Sequence, residues 1–271
     1  MESTTRNKKL KVTLCVPTIT SDISKNIDTV ERQIIEAAKS NVDLVVFAET
    51  VITGLANDDD PEHDKEFVQK IPSEYSNRLG RLAKKFNIYL AFGILEDDCG
   101  KYYDTAILIK PDGTIGLKYR RISPHWHTRT ADPSIYCEGD SFPKLETPFG
   151  SFGFLICGDM FDDEIIKGLR DSNPDWLLYL VAISFPENIK QSIKEEWHNI
   201  ESYEYMKQIK KTKTPTLMVN YFEQKSHPED AYGGAFVFTA NGDLVKSFPL
   251  QKEGILITEL TQTKNGQIKV E

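Results

Sequence analysis

The sequence predicts a layered α/β fold, with helices outside and sheets inside. Three observations carry the prediction. Strand-like and helical stretches alternate through the first half of the chain. Pairs of strands appear before residue 120 and after residue 230. No low-complexity linker, internal repeat or break in composition interrupts the 271 residues, so one large domain accommodates them.

The elements follow in order. LKVTLCV (Leu10 to Val16) is a short, mostly apolar strand. Over Asn26 to Ala38, the residues Ile27, Val30, Ile34, Ile35 and Ala38 fall at helical spacing. VDLVVFAE, from Val42, is a nearly continuous apolar run, which suits a strand buried on both faces. Tyr75 to Phe86 is helical, with Leu79, Leu82 and Phe86 on one side. IYLAFGIL and YYDTAILI (Ile88 to Leu95, Tyr102 to Ile109) are strands, and Pro111-Asp112-Gly113 makes a tight turn. Tyr119 to Thr147 has little periodicity, and a loop of that length in a compact domain is usually functional or disordered. FGFLIC (Phe152 to Cys157) is a strand, followed by a helix over about Asp162 to Arg170 and the strand DWLLYLVAIS (Asp175 to Ser184). The longest helix is expected over Glu187 to Lys211. PTLMVNYF, GGAFVFT and DLVKSF are late strands, the last two joined by an Asn241-Gly242 hairpin turn. GILITEL closes the core near residue 260.

Composition narrows the function. Hydrophobic residues make up 39% and charged residues 27%, as in soluble globular proteins. No run approaches the roughly 20 apolar residues of a membrane helix. MESTTRNKKLKV lacks the apolar core of a signal peptide, so the cytoplasm is the expected location. The net charge of −8 and pI of about 5.3 argue against a nucleic-acid binder. Four cysteines contain no C-x-x-C pair, which speaks against a zinc ribbon or a redox motif and for reduced thiols.

Three spots could carry chemistry. Glu49 ends the apolar run VVFAE, where a poorly solvated carboxylate suits a general base; a cap or a surface acid is the plainer alternative. Cys157 ends FGFLIC and precedes Gly158, where a turn can expose a thiol and aim backbone N–H groups at a developing oxyanion. A buried structural cysteine is the commoner fate, and it is the expectation for Cys15 and Cys137. Cys99, in EDDCGK, reads as a surface thiol. The third spot is KYRRISPHWH (Lys118 to His127), a cationic cluster in the long loop between the other two.

FAET, YRRISP and LICGD, in that order, resemble the motifs of the nitrilase, or carbon–nitrogen hydrolase, superfamily. PDGTIGLKYRR, CEGDSFPKLETPFGSFGFLICGD, TPTLMVN and YGGAFVFTANGDLV extend the similarity from about residue 10 to 260. The resemblance implies a single-domain, four-layer α-β-β-α sandwich, commonly dimerised. It divides the chain into a flexible N-terminus (1–9), the hydrolase domain (10–260) and a C-terminal tail (261–271). It implies Glu49 as general base and Cys157 as nucleophile, with Gly158 in support. The family's catalytic lysine follows Tyr-Arg, and here that position is Arg121; Lys118 stands three residues early. The family's second glutamate falls at Asp132, seven residues before Gly139 and one methylene shorter. We expect the shorter acid to make room for the larger guanidinium. Leu55, Ile183, Ser184 and Phe185 fall where the family lines its substrate pocket.

The resemblance implies no cofactor and no metal, and His125 and His127 are expected to pack the loop or line the pocket. The substrate class is a small amide, carbamoyl compound or nitrile, with the chain's length pointing to the amidase and carbamoylase branches. The leading expectation is hydrolysis through a thioester. Acyl transfer or a synthase or lyase step from the same cysteine is an alternative, as is a degenerate binding or regulatory subunit. KQIKKTK (Lys207 to Lys213) complements a helix C-terminus. NDDDPEHDKE (Asn57 to Glu66) is expected to be a solvated loop.

Overall fold

A computed structural model describes residues 8–184, Trp197, 202–223, 230–263 and 268–271. The chain opens with β1 (Lys8–Val16), α1 (Ile23–Ala38) and β2 (Leu44–Val46). A short α2 (Pro61–Asp64) and α3 (Glu74–Phe86) lead to the meander β3 (Tyr89–Asp98), β4 (Lys101–Ile109) and β5 (Ile115–Arg120). Then come β6 (Leu145–Thr147), β7 (Gly150–Ile156), α4 (Asp163–Ser172) and β8 (Trp176–Val181). The described residues end with α5 (Ser202–Thr212), β9 (Thr216–Asn220), β10 (Ala235–Phe238), β11 (Leu244–Phe248), β12 (Gly254–Gln262) and β13 (Ile268–Val270).

Local sequence fixes these elements. Asp22 caps α1, and Ile27, Val30, Ile34 and Ala37 form its buried stripe. Ser73 opens α3 with a capping box, and Asn87 closes it in the left-handed region. Leu44, Val45 and Val46 are wholly buried, as expected for a strand covered on both faces. Each such side chain contributes about 1.5–3 kcal/mol of burial.

Two sheets form among the described residues. One runs β13–β12–β1–β2–β3–β4–β5 and the other β11–β10–β9–β8–β7–β6. They pack face to face, with β1 against β9 and β10, β3 against β8, and β4 against β7. Helices α1 and α3 pack together on β12 and β3, while α4 and α5 pack together on the far side, with Leu169 of α4 over Gly153 of β7. The result is the expected α-β-β-α sandwich. At its centre β1, β2 and β3 are parallel, and so are β7, β8 and β9. In open α/β sheets, sites form outside the carboxyl ends of parallel strands. Here those ends deliver Glu49 after β2 and Cys157 after β7.

Two expectations change. The domain does not stop at residue 260: β12 runs to Gln262, and β13 pairs with it through Leu260 and Val270. The acidic stretch is not simply solvated. Asp60 caps α2, and Asp64 is fully buried, accepting from the Asp58 and Asp59 N–H groups and the Tyr136 hydroxyl. Of the longest expected helix, only Trp197 and the part from Ser202 lie within the described residues. No helix among them is long and apolar enough to cross a membrane.

Gly93 shows how tightly the sheet is fitted around Glu49. A Cβ there would stand 2.6 Å from the Glu49 Cα and 2.5 Å from the Thr50 nitrogen, both backbone atoms that cannot swing away. We expect Gly93→Ala to lower stability by about 1–3 kcal/mol, read as a drop in the urea midpoint at unchanged m-value.

Candidate active site

Glu49 owes its position to the extension of β2. Beyond Val46, Phe47 N–H donates to Ala91 O at 2.8 Å and Gly93 N–H donates to Ala48 O at 2.9 Å. The chain then turns through Thr50, whose φ of 40° lies in the left-handed region. A β-branched residue there is strained, by about 1–3 kcal/mol. The turn tips Glu49 into the interior, where it is fully buried. Its Oε1 accepts from Arg121 Nη1 at 3.1 Å, and its Oε2 has no hydrogen-bond partner.

Cys157 sits on a second strained turn. β7 ends at Ile156, and Cys157 opens a 3-10 turn with φ of 38°. The Tyr179 hydroxyl pins this bend by donating to Cys157 O at 2.7 Å. The residue is partly exposed. Burial of the sulfur pushes the thiol well above its ordinary value, and the Glu49 charge adds to the rise. The Arg121 cation and the Ala182 N–H oppose it. Such a thiol needs a base to take its proton as it attacks.

Arg121 follows directly after β5, and strand alternation sorts the cationic cluster around it. Lys118 and Arg120 turn to one face, where both bind Glu96, at 2.6 Å and 2.8 Å. Tyr119 and Arg121 are buried on the other. Arg121 Nε donates to Ser123 Oγ at 2.8 Å, and Nη1 also lies 3.5 Å from Asp104 Oδ2. Nη2 lies against Gly158, where a Cβ would stand only 2.6 Å from it. Burial works against the Arg121 charge, but the surrounding acidic groups, Glu49 foremost, more than offset it and hold the guanidinium protonated.

Asp159 joins these parts. Its Oδ1 accepts from the Ile122 and Ser123 N–H groups at 3.1 Å and 2.7 Å. Its Oδ2 accepts from the Tyr119 hydroxyl at 2.7 Å and the Ile156 N–H at 2.9 Å. Burial pushes its carboxyl up, and these donors pull it back.

The fold thus brings Glu49, Arg121, Cys157 and Gly158 together. Asp132 is not with them: it is exposed, and its Oδ1 accepts from the N–H and hydroxyl of Ser134. The expected pairing of Asp132 with Arg121 is therefore replaced by pairing with Glu49 and Asp104. Sequence reasoning missed Asp104 and Asp159. The available signal for Asp104 was an isolated acid in the apolar strand YYDTAILI, and for Asp159 an acid two residues past Cys157.

Leu55 is exposed, and its N–H donates to the Tyr221 hydroxyl at 3.3 Å. Ile183 exchanges hydrogen bonds with the Asn220 side chain at the end of β9, and Ser184 bridges to Ala231. Phe185 lies outside the described residues. His125 is exposed, while His127 bonds Glu138 at 2.9 Å and packs on Trp126. Cys15 is buried, as expected; Cys137 is only partly buried, because its loop runs along the protein surface. Among the described residues Asp58, His63 and Asp64 form one grouping of metal-ligand type, but both Asp64 oxygens already accept hydrogen bonds from protein donors.

The carbon-nitrogen hydrolase family profile matches residues 11–269. An omega-amidase of Xenopus tropicalis is 32% identical over 162 residues, covering 58% of this chain and 57% of the relative. The match thus spans little more than half of that relative's length. A nitrilase of Arabidopsis thaliana is 23% identical over 274 residues, covering 90% of this chain and 76% of the relative. Among solved structures, a carbon-nitrogen hydrolase from Helicobacter pylori superposes with a TM-score of 0.80 at 20% identity, covering 93% of this chain and 89% of that one. An amidase from Nesterenkonia sp. gives 0.71 at 15% identity, covering 94% and 92%.

Two outcomes follow from the geometry. Asp159→Ala leaves buried N–H and O–H donors without an acceptor, so we expect a loss of about 2–4 kcal/mol in urea unfolding. The second concerns pH. Burial first, and then the Glu49 charge, raise Asp104 well above 3.8. The folded state therefore binds this proton more tightly than the unfolded chain does. The resulting stability is full below the ordinary carboxylate range and is lost as pH rises through the folded value. Asp104→Asn removes this contribution, so its unfolding free energy is expected to fall less steeply with rising pH above about 4 than that of the natural protein.

Proposed function

The chain belongs to the carbon–nitrogen hydrolase family, and on that premise we propose that it is a cysteine-dependent hydrolase of a non-peptide C–N bond, in a small amide or N-carbamoyl compound. One observation carries the reading. A single guanidinium touches Glu49 through Nη1 and lies against the residue after Cys157 through Nη2. Base, cation and thiol therefore share one small volume, at the ends of strands from two sheets.

In this reading Glu49 takes the Cys157 proton, and the sulfur adds to the substrate carbonyl carbon. The C=O electron pair moves to oxygen, where Arg121 and the backbone N–H groups after Cys157 hold the charge. The oxyanion then re-forms the C=O bond as the C–N bond breaks. Glu49 returns its proton to the departing nitrogen, leaving a thioester and ammonia or an amine. Water, giving a proton to Glu49, adds to the thioester carbon. The C=O bond re-forms as the C–S bond breaks, Glu49 returns that proton to the sulfur, and the acid leaves with the thiol restored. Leu55, Ile183 and Ser184, with Phe185, are the proposed pocket wall. Work in the cytoplasm, as a homodimer or higher homo-oligomer, belongs to the same proposal.

The test begins without a known substrate. Iodoacetamide is expected to alkylate Cys157 at least tenfold faster than Cys15, Cys99 or Cys137, with the advantage lost in Glu49→Gln. Equal, slow labelling of all four thiols sinks the reading. A screen for ammonia release from simple amides, run on the natural protein and Arg121→Lys, then tests turnover. Release that Cys157→Ala abolishes supports hydrolysis; release that survives Cys157→Ala opposes it.

A further inference from the structure

The site holds one buried cation and more than one buried acid. Asp104, on β4, is 1% exposed. Its backbone carbonyl accepts from the Arg121 N–H at 2.8 Å, which fixes the two residues side by side. Arg121 Nη1 then lies between two carboxyls, 3.1 Å from Glu49 Oε1 and 3.5 Å from Asp104 Oδ2. Both Asp104 oxygens and Glu49 Oε2 are buried without a hydrogen-bond partner. The Asp104 and Glu49 carboxyls also meet as a side-chain pair, and two carboxylates have no donor to offer each other. A proton on one of them supplies it.

We infer that Asp104 is a positioning residue of this site: it keeps one proton, donates it to the Glu49 carboxylate, and so leaves Glu49 as the only counter-ion of Arg121. The inference rests on the hydrolase reading and deepens it. Burial and the Glu49 charge both favour the proton on Asp104. Other charged or titratable groups also bear on the neighbourhood. Asp159 also raises Asp104, and Arg121 works the other way. Asp104 in turn raises Cys157 and Tyr119. An ionised Asp104 would therefore oppose the thiolate that the reaction needs.

The neutral form also suits the chemistry. Once Glu49 has taken the thiol proton it no longer carries charge, and its hold on Arg121 weakens. The guanidinium charge then becomes available to the oxyanion. A carboxylate at Asp104 would keep that charge engaged.

The experiment compares Cys157 alkylation by iodoacetamide at pH 7 in the natural protein, Glu49→Gln, Asp104→Asn and Asp104→Ala, with circular dichroism as a check on folding. It adds a pH titration of the natural protein and Asp104→Asn carrying carboxyl-13C aspartate, followed by NMR. Asp104→Asn, which keeps a neutral donor, is expected to label within about threefold of the natural rate. Asp104→Ala is expected to be at least tenfold slower. One aspartate should stay protonated at pH 7 and be missing from the Asp104→Asn spectrum. Asp104→Asn as slow as Asp104→Ala would show that charge is needed, and would overturn the inference. Asp104→Ala as fast as the natural protein would overturn it too, as would aspartates that all ionise below pH 6. Natural protein no faster than Glu49→Gln defeats the hydrolase reading instead. The aspartate titration still decides Asp104 in that case, and also if Asp104→Ala does not fold.

Discussion

The Asp159 carboxylate is the tie on which the site's geometry depends. Tyr119 belongs to one sheet, Ile156 to the other, and Ile122 and Ser123 to the loop between them. All four donate to the same carboxylate. A buried carboxylate is costly unless its lone pairs are filled, and here the donors fill them. Because they come from separate parts of the chain, the cation loop cannot shift without pulling on the turn that carries Cys157. The Cys157 thiol and the Arg121 guanidinium are therefore held in place by the fold itself, which is the condition for electrostatic stabilisation of a transient charge.

That arrangement explains why an arginine can stand in the cation position. A lysine ammonium is a compact charge on a flexible stem; a guanidinium is a plane with donors in fixed directions. Here each nitrogen has a set place. Nε meets Ser123, Nη1 meets the two acids, and Nη2 lies over Gly158. The glycine matters because any side chain would collide with the fork or with Ser123 Oγ, 2.9 Å from the Cβ position. The strained turns at Thr50 and Cys157 complete the fit by pointing a carboxylate and a thiol out of the strands' own alternation.

The sequence was informative where a polar side chain ends an apolar run. VVFAE and FGFLIC end in polar residues, so Glu49 and Cys157 were legible, and so were most helices and strands from their periodicity. What it could not show was contact across the sandwich. Asp104 and Arg121 are 17 positions apart along a meander whose register decides that they meet. The strand register that pairs Thr105 with Arg120 places them side by side, and no local spacing encodes it. Asp132 failed for the converse reason. Counting back from Gly139 gives a position along a loop, and a loop's path in space is set by its anchors.

Those anchors are visible. Trp126 and Tyr136 pack with Leu95 and Tyr102 in a small apolar cluster of their own, apart from the main core. Tyr136 reaches Asp64, and the Asn57 amide donates to Trp126 O. Tyr102 exchanges backbone hydrogen bonds with Ile135 and Cys137, so this part of the loop follows the start of β4. Asp132 is held at the outer surface by this packing, one turn before Tyr136. The acids that reach Arg121 come from the β2 extension and β4 instead. Groups on packed strands keep their positions better than groups on a loop, so the cation is fixed by the most rigid part of the fold.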